Sequence, residues 1–143
     1  MAVIDAHAHI YPDKIAPKAV EAVGDFYNVG MFGDGTADGL LAAKDRAPIT
    51  HFIVHSVATT AHAVTAINDF IAKQCQAHPE FIGFAAMQQD FEDPAAELQR
   101  AVELGLRGVK LHPDTQKVDM DDPRLMEVYA ICEQLGLPVV IHT

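Results

Sequence analysis

Short apolar runs recur along this chain, and most are followed by a stretch with helical spacing. The first run, residues 2–10 (AVIDAHAHI), alternates apolar and polar positions. Successive side chains on a strand point to opposite faces. Asp5, His7 and His9 therefore share one face, and Ile4, Ala6, Ala8 and Ile10 share the other. Tyr11-Pro12-Asp13 breaks the strand. Residues 14–23 suit a short helix, with Pro17 near its first turn. The glycine-rich stretch 24–35 reads as a loop. Its Phe26, Tyr27, Met31 and Phe32 could cover a pocket or plug the rim of a barrel.

Thr36 is the expected N-cap of a helix reaching Arg46, which Pro48 closes. Residues 49–57 form a second strand. Residues 60–77 form a helix, with Ala63, Ala66, Ile67, Phe70, Ile71 and Cys75 on or near one face. Residues 81–87 are small and apolar, as suits a third strand buried on both faces. Asp93-Pro94 and Asp122-Pro123 each place a capping carboxylate at the N-cap and proline at the first helical position. The helices they start run through Leu104 and Leu135, and Gly105 and Gly136 stop them. Residues 106–112 and 138–142 are the fourth and fifth strands.

Strand and helix alternate, which predicts an α/β fold of parallel strands with right-handed crossovers. An open doubly wound sheet and a (β/α)8 barrel both satisfy that order. His9, His112 and His142 all fall at the C-terminal ends of strands, the rim where a barrel collects its catalytic groups. The expected fold is therefore a TIM-type (β/α)8 barrel, with residues 1–143 supplying about its first five strands as one N-terminal portion.

The chain has 143 residues, half of them hydrophobic, and 20 acidic against 10 basic side chains, for a net charge of -10. That balance argues against a general nucleic-acid or anionic-membrane surface, though not against a local basic pocket for an acidic small molecule. Cys75 and Cys132 lack metal-type spacing and suit buried, reduced thiols in a cytoplasmic protein. No signal peptide precedes the first strand, and no apolar run approaches a membrane span.

His7 and His9 lie roughly 7 Å apart along the strand and can converge on one ion, such as zinc. The bland alternative is two solvated histidines near the N-terminus. On the second strand, His51 and His55 share a face, but Phe52, Val54 and Ser56 could equally be the inward set. His55 is expected to hydrogen-bond behind a helix rather than to bind metal. On the fourth strand, Gly108, Lys110 and His112 share a face. Burying Lys110 unpaired is costly, so it needs a carboxylate, a carbamate or a bound anion, unless it snorkels to water. His112 is a functional candidate, or a residue that only fixes the loop begun by Pro113 and Asp114.

Three segments together, residues 4–9 (IDAHAH), 108–113 (GVKLHP) and 138–143 (PVVIHT), resemble the amidohydrolase superfamily. The similarity is to its amidohydrolase-related branch, which includes aminocarboxymuconate-semialdehyde decarboxylase. The resemblance implies that His7, His9 and His142 are metal ligands, with zinc or manganese as the divalent metal. It implies a small-molecule substrate bound by a catalytic Lys110 or His112. In some relatives the fourth-strand lysine is carbamylated and bridges two metals; in the decarboxylase branch it is not a ligand. TatD-type nucleases also open with a His-x-His strand, but a glutamate is expected where this chain has Lys110.

The family also uses a histidine after the sixth strand and an aspartate after the eighth, beyond these residues. The expectation is thus the N-terminal part of a barrel of roughly 250 residues, completed by a C-terminal segment or by self-association. The expected reaction is hydrolysis of an amide, ester or lactone by metal-activated water. The alternatives are decarboxylation at the same site, and a catalytically incomplete fragment that only binds metal or a partner chain.

Overall fold

The computed structural model describes residues 2–142. Its strands are β1 (Ile4–His9), β2 (His51–His55), β3 (Phe81–Gly83), β4 (Ala85–Ala86), β5 (Val109–Leu111) and β6 (Val139–Ile141). The helices are α1 (Ala16–Tyr27), α2 (Ala37–Leu41), α3 (Val64–Ala77), α4 (Pro94–Glu103), α5 (Pro113–Gln116) and α6 (Pro123–Leu135), with short 3-10 turns at Ala42–Asp45 and Ala61–Ala63. All strand pairs are parallel, in the orders β1-β2-β3 and β4-β5-β6. Strand order follows chain order without the reversal that marks a doubly wound sheet. The two three-stranded runs meet at Phe84, whose N–H donates to Val54 O at 2.9 Å. This is the winding of a partial barrel.

The expected third strand is therefore one segment in two pieces, β3 against β2 and β4 against β5. Gly83 and Phe84 face opposite sides at the change of partner. A Cβ on Gly83 would fall 2.6 Å from the Leu106 side chain, and one on Gly108 would fall 2.4 Å from the Phe84 ring, so neither position has room for a larger residue without a shift of those side chains. Beyond Phe84 the β2 ladder no longer reaches. The fully buried Asn68 of α3 takes its place: its Oδ1 accepts from Ala86 N–H at 2.7 Å, and its Nδ2 donates to Ala86 O at 3.3 Å and to Glu97 Oε1 at 2.7 Å.

The core lies between sheet and helices, where Phe52, Val54, Ile71, Leu98, Leu106, Val109, Leu111 and Leu125 are fully or almost fully buried. Thr36, Asp93 and Asp122 cap their helices through the side chain, as expected. Gly136 ends α6 at φ +67°. Two helices depart from expectation. The helix begun by Thr36 gives way to a 3-10 turn after Leu41. Helix α1 runs through Gly24 to Tyr27 and ends on left-handed Asn28, so Phe26 and Tyr27 are helical, not loop residues. No helix among the described residues is long and apolar enough to cross a membrane.

Replacing Asn68 by alanine leaves the Ala86 N–H and the Glu97 carboxylate short of a buried partner. The expected cost is about 2–3 kcal/mol, read as a lower midpoint in urea unfolding. An unchanged midpoint would mean that water replaces the amide at no cost.

Candidate metal centre and substrate cavity

β1 carries one extra residue relative to β2. Asp5 pairs with Phe52 and His9 with His55, with the irregularity between Asp5 and Ala8. Phe52 and His55 lie on opposite faces of β2, so the bulge takes Asp5 off the face that His9 occupies. Asp5 instead accepts a hydrogen bond from the His7 backbone N–H at 3.1 Å. The alternation that grouped Asp5 with His9 fails here because a bulge shifts the phase by one.

The same register settles β2. Phe52 and Val54 face the helices as core, and His55 sits beside His9. Its ring lies 4.5 Å from that of His9 and 4.7 Å from that of His7, centroid to centroid. His55 does not hydrogen-bond behind a helix: both its ring nitrogens are buried without a partner among the described residues. Each of His7, His9 and His55 offers a nitrogen within 4.8 Å of the others. His7 Nε2 and His9 Nε2 are 3.2 Å apart. Two nitrogens on one tetrahedral zinc stand about 3.3 Å apart, given bonds of about 2.0–2.1 Å. Tyr11 Oη lies 3.4 Å from His9 Nδ1, which fixes the ring and leaves Nε2 free. The donor set fits a divalent metal.

His142 stands outside that cluster. Its ring stacks on His112 at 4.2 Å and lies 6.0 Å from that of His7. His112 joins two roles. Its Nδ1 accepts from Thr115 N–H at 3.5 Å, capping the short α5, and its Nε2 meets Tyr27 Oη at 2.9 Å. Gln116 organises the floor: its amide donates to Ala58 O and Met87 O and accepts from His112 N–H, tying together the segments after β2, β4 and β5.

Lys110 is inside, 1% exposed, as a residue on the inward face of β5 should be. Its Nζ donates to Leu111 O at 2.8 Å, and no carboxylate pairs with it among the described residues. Burial lowers its pKa to about 8. Burial, reinforced by the neighbouring imidazoles and the Lys110 charge, lowers His9 to about 3 and His55 to about 2. His112 falls to about 4, chiefly through burial and then through His142 and Lys110. His7 is also lowered, by burial first. Burial thus favours the neutral form of these four imidazoles, the form in which imidazole ligates metal.

Above these groups opens a cavity of about 910 Å³, with His7, His9, Tyr11, Tyr27, His112 and His142 on its polar side and Val20, Val23, Phe26 and Met31 on its apolar side. Its lining includes Lys117 and no acidic residue, in a chain with 20 of them. His55 and Lys110 lie behind the lining. Tyr27 was expected on a loop, among the residues that could cover a pocket, and His55 was weighed as a metal ligand and set aside; Tyr27 does line the cavity. The signal for Tyr27 was present: Ala16, Ala19, Val20, Val23 and Tyr27 keep helical spacing straight through Gly24.

A partial parallel barrel with a histidine cluster at its C-terminal rim is the architecture of metal-dependent barrel proteins. The amidohydrolase family matches residues 4–143, and the chain belongs to it. It is 37% identical over 79 residues to 2-amino-3-carboxymuconate-6-semialdehyde decarboxylase of Dictyostelium discoideum, a match spanning 53% of this chain and 22% of that one. In fold it is similar to 5-carboxyvanillate decarboxylase of Novosphingobium aromaticivorans, solved with manganese and 4-hydroxy-3-methoxy-5-nitrobenzoic acid. That TM-score is 0.73 at 20% identity, over 99% of this chain and 50% of the other. It is also similar to 2,6-dihydroxybenzoate decarboxylase solved with 2,6-dihydroxybenzoate, with TM-score 0.62 at 24% identity, over 99% of this chain and 49% of the other. The chain spans about half the length of these solved structures.

The depressed histidines set a pH dependence. Between about 6.5, their ordinary pKa, and the values near 3 and 2 held in the fold, the unfolded chain binds more protons than the folded one. Stability of the metal-free protein is therefore full above about pH 6.5 and declines as pH falls. The urea midpoint should be lower at pH 4.5 than at pH 7, with a shallower decline in His55→Gln. Parallel declines in the two proteins would contradict the burial of His55.

Proposed function

We propose that this chain is the metal- and substrate-binding portion of a metal-dependent decarboxylase acting on a small, planar, unsaturated carboxylic acid. The observation that carries it is the cavity: acid-free, flanked by Lys117 and backed by Lys110, in a chain of net charge -10. Such a lining admits an anion that the rest of the surface repels. The relatives' activities favour loss of carbon dioxide over the hydrolysis that the family name suggests. They concern ring or muconate carboxylates, for which the wall of Val20, Val23, Phe26 and Tyr27 is suitably apolar.

His7 and His9 would hold the metal, manganese or zinc, with His142 as the further donor the family pattern implies. When bound, that ion supplies a Lewis acid for substrate oxygens. The chain's own residues do the rest. Because His112 Nδ1 faces the Thr115 N–H, the ring's proton sits on Nε2 and is donated to Tyr27 Oη. The Tyr27 O–H is then free to donate into the cavity. Burial, followed by the Asp114 charge, raises its pKa and keeps that proton in place. Lys110, with a pKa near 8, is mostly charged at neutral pH and places positive potential beneath the site. The stacked His112 and His142 present a flat surface to a planar substrate.

A full-length barrel carrying these residues, loaded with manganese and offered hydroxylated benzoic acids and the matching amides, tests this reading. Carbon dioxide should be released from the acids, with a KM about tenfold higher in Tyr27→Phe, the loss of one hydrogen bond. Ammonia from the amides, without carbon dioxide from the acids, would return the site to the hydrolase reading.

A further inference from the structure

The buried imidazole of His55 lies beside His7 and His9 yet takes no part in the hydrogen bonding of the fold among the described residues. It is 0% exposed, yet neither ring nitrogen meets a hydrogen-bond partner. A neutral imidazole has one donor and one acceptor to satisfy. An orphaned buried polar atom costs about 1–3 kcal/mol, so an unpaired ring persists in a native fold only when something else meets it.

The surroundings narrow what that can be. The rings facing His55 belong to His7 and His9, at 4.7 and 4.5 Å and close to edge-on, with interplanar angles of 83° and 89°. The pairing of His9 with His55 puts the two side chains on one face at the same height. Carbonyl and carboxylate groups that could accept its proton are not in hydrogen-bond reach among the described residues. Nitrogens from the three rings lie within 4.8 Å of one another.

We infer that His55 is a third nitrogen donor to the metal held by His7 and His9, so that the adjacent strands β1 and β2 carry a three-nitrogen site between them. This rests on the proposal that His7 and His9 hold a divalent metal. It goes further in assigning a ligand to the end of the second strand. It also implies that these residues bind a metal stoichiometrically without a carboxylate from elsewhere.

The test is metal binding by the unmodified protein, read by nuclear magnetic resonance. The protein is labelled with 15N in its histidines and loaded with 113Cd. The His7, His9 and His55 ring nitrogens should each show one-bond coupling to cadmium. In parallel, His55→Gln should bind zinc about a hundredfold more weakly, while the exposed His62→Gln binds as the unmodified protein does. Loss of affinity alone would also follow from disturbing a neighbour of the ligands or from misfolding of the variant, so the coupling decides. Coupling at His7 and His9 with none at His55 would overturn this inference and leave the metal site standing on β1. Absence of cadmium coupling at all three, with no zinc uptake, would overturn both.

Discussion

Neutral imidazoles crowded at one end of a parallel sheet, beside a buried ammonium, are the constraint on which this structure turns. His7, His9, His55 and His112 gather there with Lys110, His142 stacks on His112, and no carboxylate hydrogen-bonds any of these rings among the described residues. Protonating one ring would set a charge against Lys110 and against the next ring. Burial and mutual repulsion thus act in the same direction, and both keep nitrogen lone pairs available. Such an arrangement is unfavourable by itself. Functional sites are where folds tolerate it, because a bound cation turns the same lone pairs into favourable bonds.

The rest of the molecule holds that cluster in place. The bulge in β1 sets His9 level with His55. Side chains of Leu106, Cys75 and Ile71 pack on Gly83, and the Phe84 ring packs on Gly108, where the two three-stranded runs meet. Asn68 ties α3 to β4 where the ladder changes partners, and Gln116 ties together three segments beneath the rim. Both are amides whose hydrogen bonds reach backbone in other segments, so the positions of the site histidines depend on long-range contacts.

Much of the fold was legible in the sequence because its signals are local. Thr36, Asp93-Pro94 and Asp122-Pro123 start helices through their own capping chemistry, and alternation of strand and helix implies parallel winding. His7, His9, His112 and His142 were legible because motif and strand end coincide. What was not legible depends on register and tertiary contact. One inserted residue moved Asp5 off the shared face. The two faces of β2 are equally plausible by periodicity, and only pairing with β1 shows that His55 looks inward. Lys110 points inward and is buried as expected, but its donation to the carbonyl of its own neighbour depends on tertiary geometry. Tyr27 was expected on a loop that covers a pocket or plugs the rim; it lines the cavity from α1, whose apolar stripe continues past Gly24.

Everything proposed for this site depends on a metal at the rim. Crystals grown with zinc and measured at the zinc absorption edge would locate it directly. One anomalous peak about 2.0–2.1 Å from nitrogens of His7 and His9 is the predicted result. A fully ordered His7–His9 pair with no peak beside it, in crystals that show zinc elsewhere or nowhere, would contradict the account.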